Sequence, residues 1–251
     1  MSTRFLDCGD TAFSVEFGST IDPEINARVM ALHDAIAAER EAGRPGSPLS
    51  GVVETVPSMR ALLVFYDPLA TTRAALQPAI EALLSGGKAA KVEPRRLTLP
   101  CCYDDAEFAP DLADVSQRTG VSTEEVIKLH LASEFRVYMV GFMPGLPYLV
   151  GLAKPLHLPR RASPRVRVPA RSVAIATEMS VVYPFESPGG WHLIGRTPVS
   201  MFDTRRGTEA TTLAPGDVVR FRRISRAEYD ALSAEAERAP FDIARFVEGT
   251  S

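Results

Sequence analysis

The sequence predicts an α+β protein in two parts: a ferredoxin-like βαββαβ domain over residues 1–94, then a β-barrel domain over residues 95–251 with two leading helices and a C-terminal helix. Three observations carry this reading. The first hundred residues alternate strand-like and helix-like periodicities in the order β-α-β-β-α-β. The texture changes after Pro100. From Phe135 onward short β-rich runs are separated by Pro and Gly, the pattern of a closed or nearly closed barrel.

Each element has a local cause. "TAFSVEFG" (11–18) alternates and is rich in β formers. In the following helix Ile25, Val29, Leu32 and Ile36 share one face, Asp22 is placed to cap it and Pro23 suits its first position. "EAGRPGSPLSG" (41–51) is loop by composition, and "VVETV" (52–56) and "ALLVFY" (61–66) are strands joined by a short turn. A second helix covers about 71–84, where Pro78 predicts a late start or a kink. "GGK" (86–88) ends it, and "KVEPRRLTLP" (91–100) returns as a strand. Beyond it, "APDLADVSQRTG" is a helix closed by Gly120. Ser122 with Glu125, and Ser225 with Glu228, have capping-box spacing and open two more helices. "FRVYMVGF", "RVRVPARSVAIAT", "SVVYPF", "WHLIGRTP", "VSMFD" and "DVVRFRRI" are the barrel strands.

Composition narrows the function. The 251 residues are 45% hydrophobic, enough for a real core. The net charge of −3 is spread along the chain and gives no footprint for nucleic acid. The three cysteines, Cys8, Cys101 and Cys102, have neither zinc nor disulfide spacing and read as reduced cytosolic thiols. No apolar signal core and no run of about 20 apolar residues occurs, so a soluble cytoplasmic protein is expected. His33, His130, His157 and His192 are scattered without metal spacing, so no metal is expected. No Gly-x-Ser-x-Gly elbow is present, and "LLSGGK" (83–88) lacks the second half of a phosphate loop.

Chemistry concentrates in three stretches. "PRRASPRVRVPAR" alternates Arg165 and Arg167 with Val166 and Val168, which puts both guanidiniums on one strand face and both valines on the other. That face is either a solvated wall or an anion clamp, since Arg forks suit carboxylate and phosphate. "GFMPGLPYLVGL" brings Phe142 and Tyr148 together around Pro-Gly turns; packing at a barrel corner is the plain reading. "FESPGGWHLIGRTP" (185–198) holds the sole tryptophan, Trp191, next to His192, with the two on opposite faces by alternation. Trp191 reads as core or as a pocket wall. His192 reads as a surface histidine or as a general base.

"GDTAFSVEFG", "YMVGFMPGLPYLVGL", "PRRASPRVRVPARSVAIA", "VYPFESPGGWHLIGRTP" and "LAPGDVVRF", in that order, resemble the family of the bacterial 5-oxoprolinase B subunit. This family is also called allophanate hydrolase subunit 1 or the sporulation kinase inhibitor family. The chain is similar, too, to one half of the carboxyltransferase domain of biotin-dependent urea carboxylase. The resemblance implies that the barrel is cyclophilin-like. It implies a heteromeric, ATP-dependent hydrolase that opens 5-oxo-L-proline to L-glutamate, with ATP bound in the complex. It also implies a homologous partner, the C subunit (allophanate hydrolase subunit 2-like), joined by the A subunit.

On that reading His192 or Glu186 carries the proton. Arg160, Arg165 and Arg196 clamp an anion, and Phe142, Tyr148, Ser187, Gly189, Gly190 and Trp191 contact the substrate. Alternatives are half of a urea or amide carboxyltransferase, a non-enzymatic histidine kinase inhibitor, or a small-molecule binding module. The chain departs from the family pattern at Leu146 (usually Phe), Arg171 and Thr177 (usually Gly), Met179 (Gln), Ser180 (Thr) and Val181 (Gly). These changes bear on which substrate is taken.

Overall fold

The computed structural model describes residues 3–86, 93–104 and 106–249, which divide into two compact units, Met1–Glu93 and Pro94–Ser251. In the first unit, strands β1 (Arg4–Asp7), β2 (Ala12–Glu16), β3 (Val52–Pro57) and β4 (Ala61–Tyr66) form an antiparallel sheet in the order β1-β2-β4-β3. Helix α1 (Pro23–Glu41) starts where Asp22 accepts from the amides of Glu24 and Ile25. It buries Val29, Leu32 and Ile36. Helix α2 (Arg73–Ser85) is capped by Thr72, buries Leu76 and Ile80, and accommodates Pro78 in its interior. These side chains meet Phe13, Val15, Leu62 and Val64, which alternate inward from the strands, in one core.

The strand expected over 91–100 is placed differently. Its described part, together with Cys101, is β5 (Arg96–Cys101), which pairs in parallel with β13 (Val218–Arg223) of the second unit; residues 87–92 lie outside the described set. Leu97, Leu99 and Cys101 alternate into the second core, and that burial decides where the strand goes. The edge beside β2 is taken instead by β1, with Phe5 against Phe13 and Arg4 paired with Glu16. "RFLD" is too short and too charged to stand out as a strand in the sequence.

The second unit adds α3 (Leu112–Thr119), α4 (Thr123–Ala132), β6 (Phe135–Val140), β7 (Pro147–Val150), β8 (Arg165–Val168), β9 (Ser172–Ala176), β10 (Met179–Val182), β11 (Ser187–Gly189), β12 (His192–Arg196) and α5 (Arg226–Arg238). A seven-stranded sheet runs β12-β9-β10-β7-β6-β13-β5, and β8 with β11 forms a separate ribbon. The two sheet edges approach where Cys102 N donates to Arg196 O (2.8 Å) and Arg196 N to Cys102 O (2.9 Å), so the sheet curls into a nearly closed barrel. Two strands read differently in the sequence. "RVRVPARSVAIAT" breaks into β8 and β9 at Pro169–Arg171. "VSMFD" keeps only an isolated bridge between Phe202 and Thr211. Gly120 closes α3 at φ +75°, and Ser122 and Ser225 cap α4 and α5 at the amides of Glu125 and Glu228.

The apolar barrel core contains one polar chain. Tyr103 donates to His130 Nδ1 (2.9 Å), His130 Nε2 donates to Ser180 Oγ (3.3 Å), and Ser180 donates to Ala174 O (3.1 Å). Burial pushes His130 down to about 3, so it folds neutral. An unfolded histidine titrates near 6.5, so between about pH 6.5 and 3 the unfolded chain binds the extra proton and stability falls as pH falls. The expected contribution is about 1.4 kcal/mol per pH unit across that window. The urea midpoints at pH 7 and pH 5 should differ less in His130→Gln than in the unaltered chain. Equal pH slopes in the two proteins would contradict this.

Candidate functional site

Strands β7 and β10 present two chemistries on their two faces. Leu149 and Val182 point into the barrel core. Tyr148, paired in register with Val181, turns to the other face with Tyr183 two residues on. There Phe142, Leu146, Tyr148, Arg160, Val181, Tyr183, Pro188, Gly189, Gly190 and Trp191 enclose a cavity of about 110 Å³. Trp191 is 6% exposed and forms one wall, edge-on to Tyr148 at 6.2 Å and under the Arg160 guanidinium at 5.4 Å. Phe142, 72% exposed and held at φ +70°, stands at the rim. Gly145 (φ +79°) completes the adjoining turn, where a Cβ would lie 2.7 Å from Phe202 Cβ. At Gly189 a Cβ would collide with the Tyr183 hydroxyl, so this glycine makes room for the phenol.

The cavity is electrostatically specific. Among the described residues Arg160 has no hydrogen-bonded or carboxylate partner, and the hydroxyls of Tyr148 and Tyr183 have no protein partner. Burial, and then the neighbouring Tyr148 phenol, push Tyr183 up to about 12, against the opposing pull of Arg160 and Arg165. Burial also raises Tyr148. At neutral pH both phenols are therefore protonated donors beside a free cation.

The Arg160 segment is held from behind. His192 Nε2 donates to Pro159 O (3.0 Å), and Arg161 N donates to Gly190 O (2.7 Å). Asp111, 3% exposed, accepts from Arg161 Nη1 (2.9 Å), from both Arg165 terminal nitrogens (2.6 and 2.7 Å) and from Leu193 N (2.7 Å). One carboxylate thus ties the basic segment to β12.

The residues singled out from the sequence divide accordingly. Phe142, Tyr148, Arg160, Gly189, Gly190 and Trp191 line the cavity. Arg165 is committed to Asp111, and the exposed Glu186 forms a two-pronged pair with Arg167. Arg165 and Arg167 therefore have separate carboxylate partners, and Val166 is 82% exposed while Val168 is buried. Ser187 lies on the β8–β11 ribbon with its Oγ buried and unbonded. Arg196 donates Nε to Ala170 O and covers Phe108 at the barrel closure.

His192 is wholly buried rather than at the surface. Its Nε2 holds Pro159 and its Nδ1 is 3.6 Å from an Asp114 oxygen. Sequence reasoning misses Tyr183 and Pro188; the i, i+2 relation of Tyr183 to Val181 in "SVVYPF" is the signal that points to the tyrosine. Among the departures from the family pattern, Leu146 and Val181 line this cavity, while Arg171 and Thr177 keep positive φ (+68° and +52°) without being glycine. Among the described residues no cluster of His, Cys, Asp or Glu is placed to hold a metal, and no helix is long and apolar enough to cross a membrane.

Comparison with known proteins agrees with this architecture. Residues 3–213 match the family described as carboxyltransferase domain, subdomain C and D. The B subunit of 5-oxoprolinase from Bacillus subtilis (strain 168) is 37% identical over 242 residues, covering 91% of this chain and 95% of that protein. The crystal structure of TTHA0988 superposes with a TM-score of 0.72 at 34% identity; the match covers 85% of this chain and 40% of that longer one. The urea amidolyase of K. lactis shares the fold (TM-score 0.74, 20% identity), over 96% of this chain and 16% of that one.

Proposed function

Because this chain belongs to the family of the carboxyltransferase domain, subdomains C and D, and matches a 5-oxoprolinase B subunit over most of its length, we propose that it is the B-type subunit of a 5-oxoprolinase. In this reading it opens 5-oxo-L-proline to L-glutamate together with a homologous C subunit, joined by an A subunit. The observation that supports it most is the pairing of a free Arg160 with two protonated phenols in a small, partly apolar cavity. A five-membered lactam bearing a carboxylate has matching groups.

Arg160 takes the carboxylate. Trp191, Leu146 and Val181 cover the ring. Tyr148 and Tyr183 donate to the lactam oxygen and stabilise the negative charge that builds there as water adds across the C–N bond. His192 and Asp111 act through the segment that carries Arg160 rather than on the substrate. ATP supplies the driving force in the complex. A cavity of about 110 Å³ suits the lactam and is too small for a nucleotide, so in this reading ATP does not share it. The free Arg160 also favours a carboxylate substrate over neutral urea.

The test mixes the purified chain with its partner subunits and follows ATP-dependent glutamate release from 5-oxoproline. Arg160→Ala is expected to raise KM about 10- to 100-fold, the worth of a charge-assisted hydrogen-bonded pair. Release that is equally fast without this chain would refute the proposal, as would an unchanged KM in the variant.

A further inference from the structure

A second, larger cavity of about 330 Å³ lies in the same unit and shares no lining residue with the Trp191 cavity. It sits between α5, the segment Pro198–Arg206 and the β8–β9 corner at Ala170–Arg171. Two of its cations, Arg171 and Arg206, have no ion pair among the described residues. Asp203 is engaged by Arg205 through Nε and Nη2, and Arg205 also donates to the carbonyls of Ala236 and Glu237. Arg206 spends Nη2 on Ala210 O and Thr212 Oγ1, but its Nε is buried without an acceptor, and it has no ion pair among the described residues. Among the described residues Arg171 has no carboxylate either; it donates to Pro198 O at 3.3 Å and lies over Tyr229 at 5.9 Å. Ser233 adds a buried hydroxyl oxygen with no hydrogen-bond partner among the described residues. Among the described residues Glu237 and Asp203 are the acidic groups on this lining; Asp203 and then Glu209 act on the Arg206 charge from nearby, without a hydrogen bond to the guanidinium.

Burying part of a cation without a partner is costly, and folded chains normally satisfy buried donors. Arg171 also holds φ +68°, a strained conformation for a residue with a side chain. Unsatisfied donors and backbone strain that converge on one cavity are the expected signs of a site whose partner comes from solution. Phe185, Phe241, Val199 and Pro240 supply an apolar wall beside the donors.

We infer that this cavity is a binding site for a small organic oxyanion, a carboxylate or phosphate monoester on an apolar body, with Arg206 and Arg171 meeting the anionic end and Ser233 assisting. The body lies against Phe185 and Phe241. The site is separate from the lactam cavity and does not depend on the reaction assigned to it.

Calorimetric titration of the full chain with benzoate, phenyl phosphate and benzamide tests this. At least one of the two anions should bind and the neutral amide should not; which anion binds distinguishes the two head groups. Arg206→Gln should weaken that binding at least ten-fold. Arg171→Gly, which adopts φ +68° without strain and keeps a folded chain, should weaken it as well. Arg160→Ala, in the other cavity, should leave it unchanged. No binding of either anion overturns the inference. So does binding of benzamide with equal affinity, binding unaffected in folded Arg206→Gln and Arg171→Gly, or loss of binding in Arg160→Ala, which would put the probe in the Trp191 cavity.

Discussion

Asp111→Ala should lower the stability of the chain by about 3–5 kcal/mol and raise the KM for the lactam, although Asp111 does not line the cavity. Its carboxylate is 3% exposed and carries the hydrogen bonds of Arg161, Arg165 and the Leu193 amide. Removing it strands two partly buried guanidiniums and a backbone donor, and one orphaned buried charge already costs several kcal/mol. The KM effect follows from geometry. Arg161 is anchored by Asp111, and Arg160 is its neighbour. Asp111→Asn keeps a carbonyl acceptor for Leu193 N but loses the charge, so it should fall between the two. Urea unfolding reads the stability term and lactam kinetics the positioning term. A stability loss under about 1 kcal/mol in Asp111→Ala would show that the ion pairs are solvated in solution.

Gly195→Val should open the barrel. Gly195 sits in β12 beside a register irregularity, and a Cβ there would lie 2.7 Å from Cys101 Sγ, 3.0 Å from Cys102 O and 3.1 Å from Tyr103 Cδ1. These atoms belong to the segment that brings β5 up to β12. The added side chain must break the Cys102–Arg196 bridge or displace Tyr103 from His130. The expected loss is about 3 kcal/mol, the upper part of the range for overpacking, with Gly195→Ala milder. Trp191, the only tryptophan, lies four residues away, and its emission should shift to the red if the closure opens. An unchanged melting temperature in Gly195→Val would mean that the strands separate there without cost.

What was legible in the sequence follows the range of the interactions. The caps at Asp22, Ser122 and Ser225 are hydrogen bonds to amides two or three residues away, so their residue types announced them. Alternation in "ALLVFY" became β4, because a strand half-buried on one face writes its period into the chain. Phe142, Tyr148 and Trp191 stood out beside Pro-Gly turns and Arg160 in an arginine-rich run, and all four line one cavity.

Arg165, Glu186 and His192 looked equally apt in the sequence, but their partners are far along the chain or hidden by burial. Arg165 pairs with Asp111, 54 positions away, and His192 reaches Pro159 across 33. No local pattern records such pairings, and Glu186, exposed, is paired with Arg167, 19 positions away.

By itself, then, the sequence determined the mixed α+β class, the capped helices and the family, all of which rest on short-range hydrogen bonds, periodicity and long motifs. Only the tertiary structure decided that "RRLTLPC" joins the barrel sheet, that one arginine stays free while its neighbours are neutralised, and that Arg171 and Arg206 share a second cavity. Those outcomes depend on which charges burial brings within reach of each other, and that is settled only when the barrel closes.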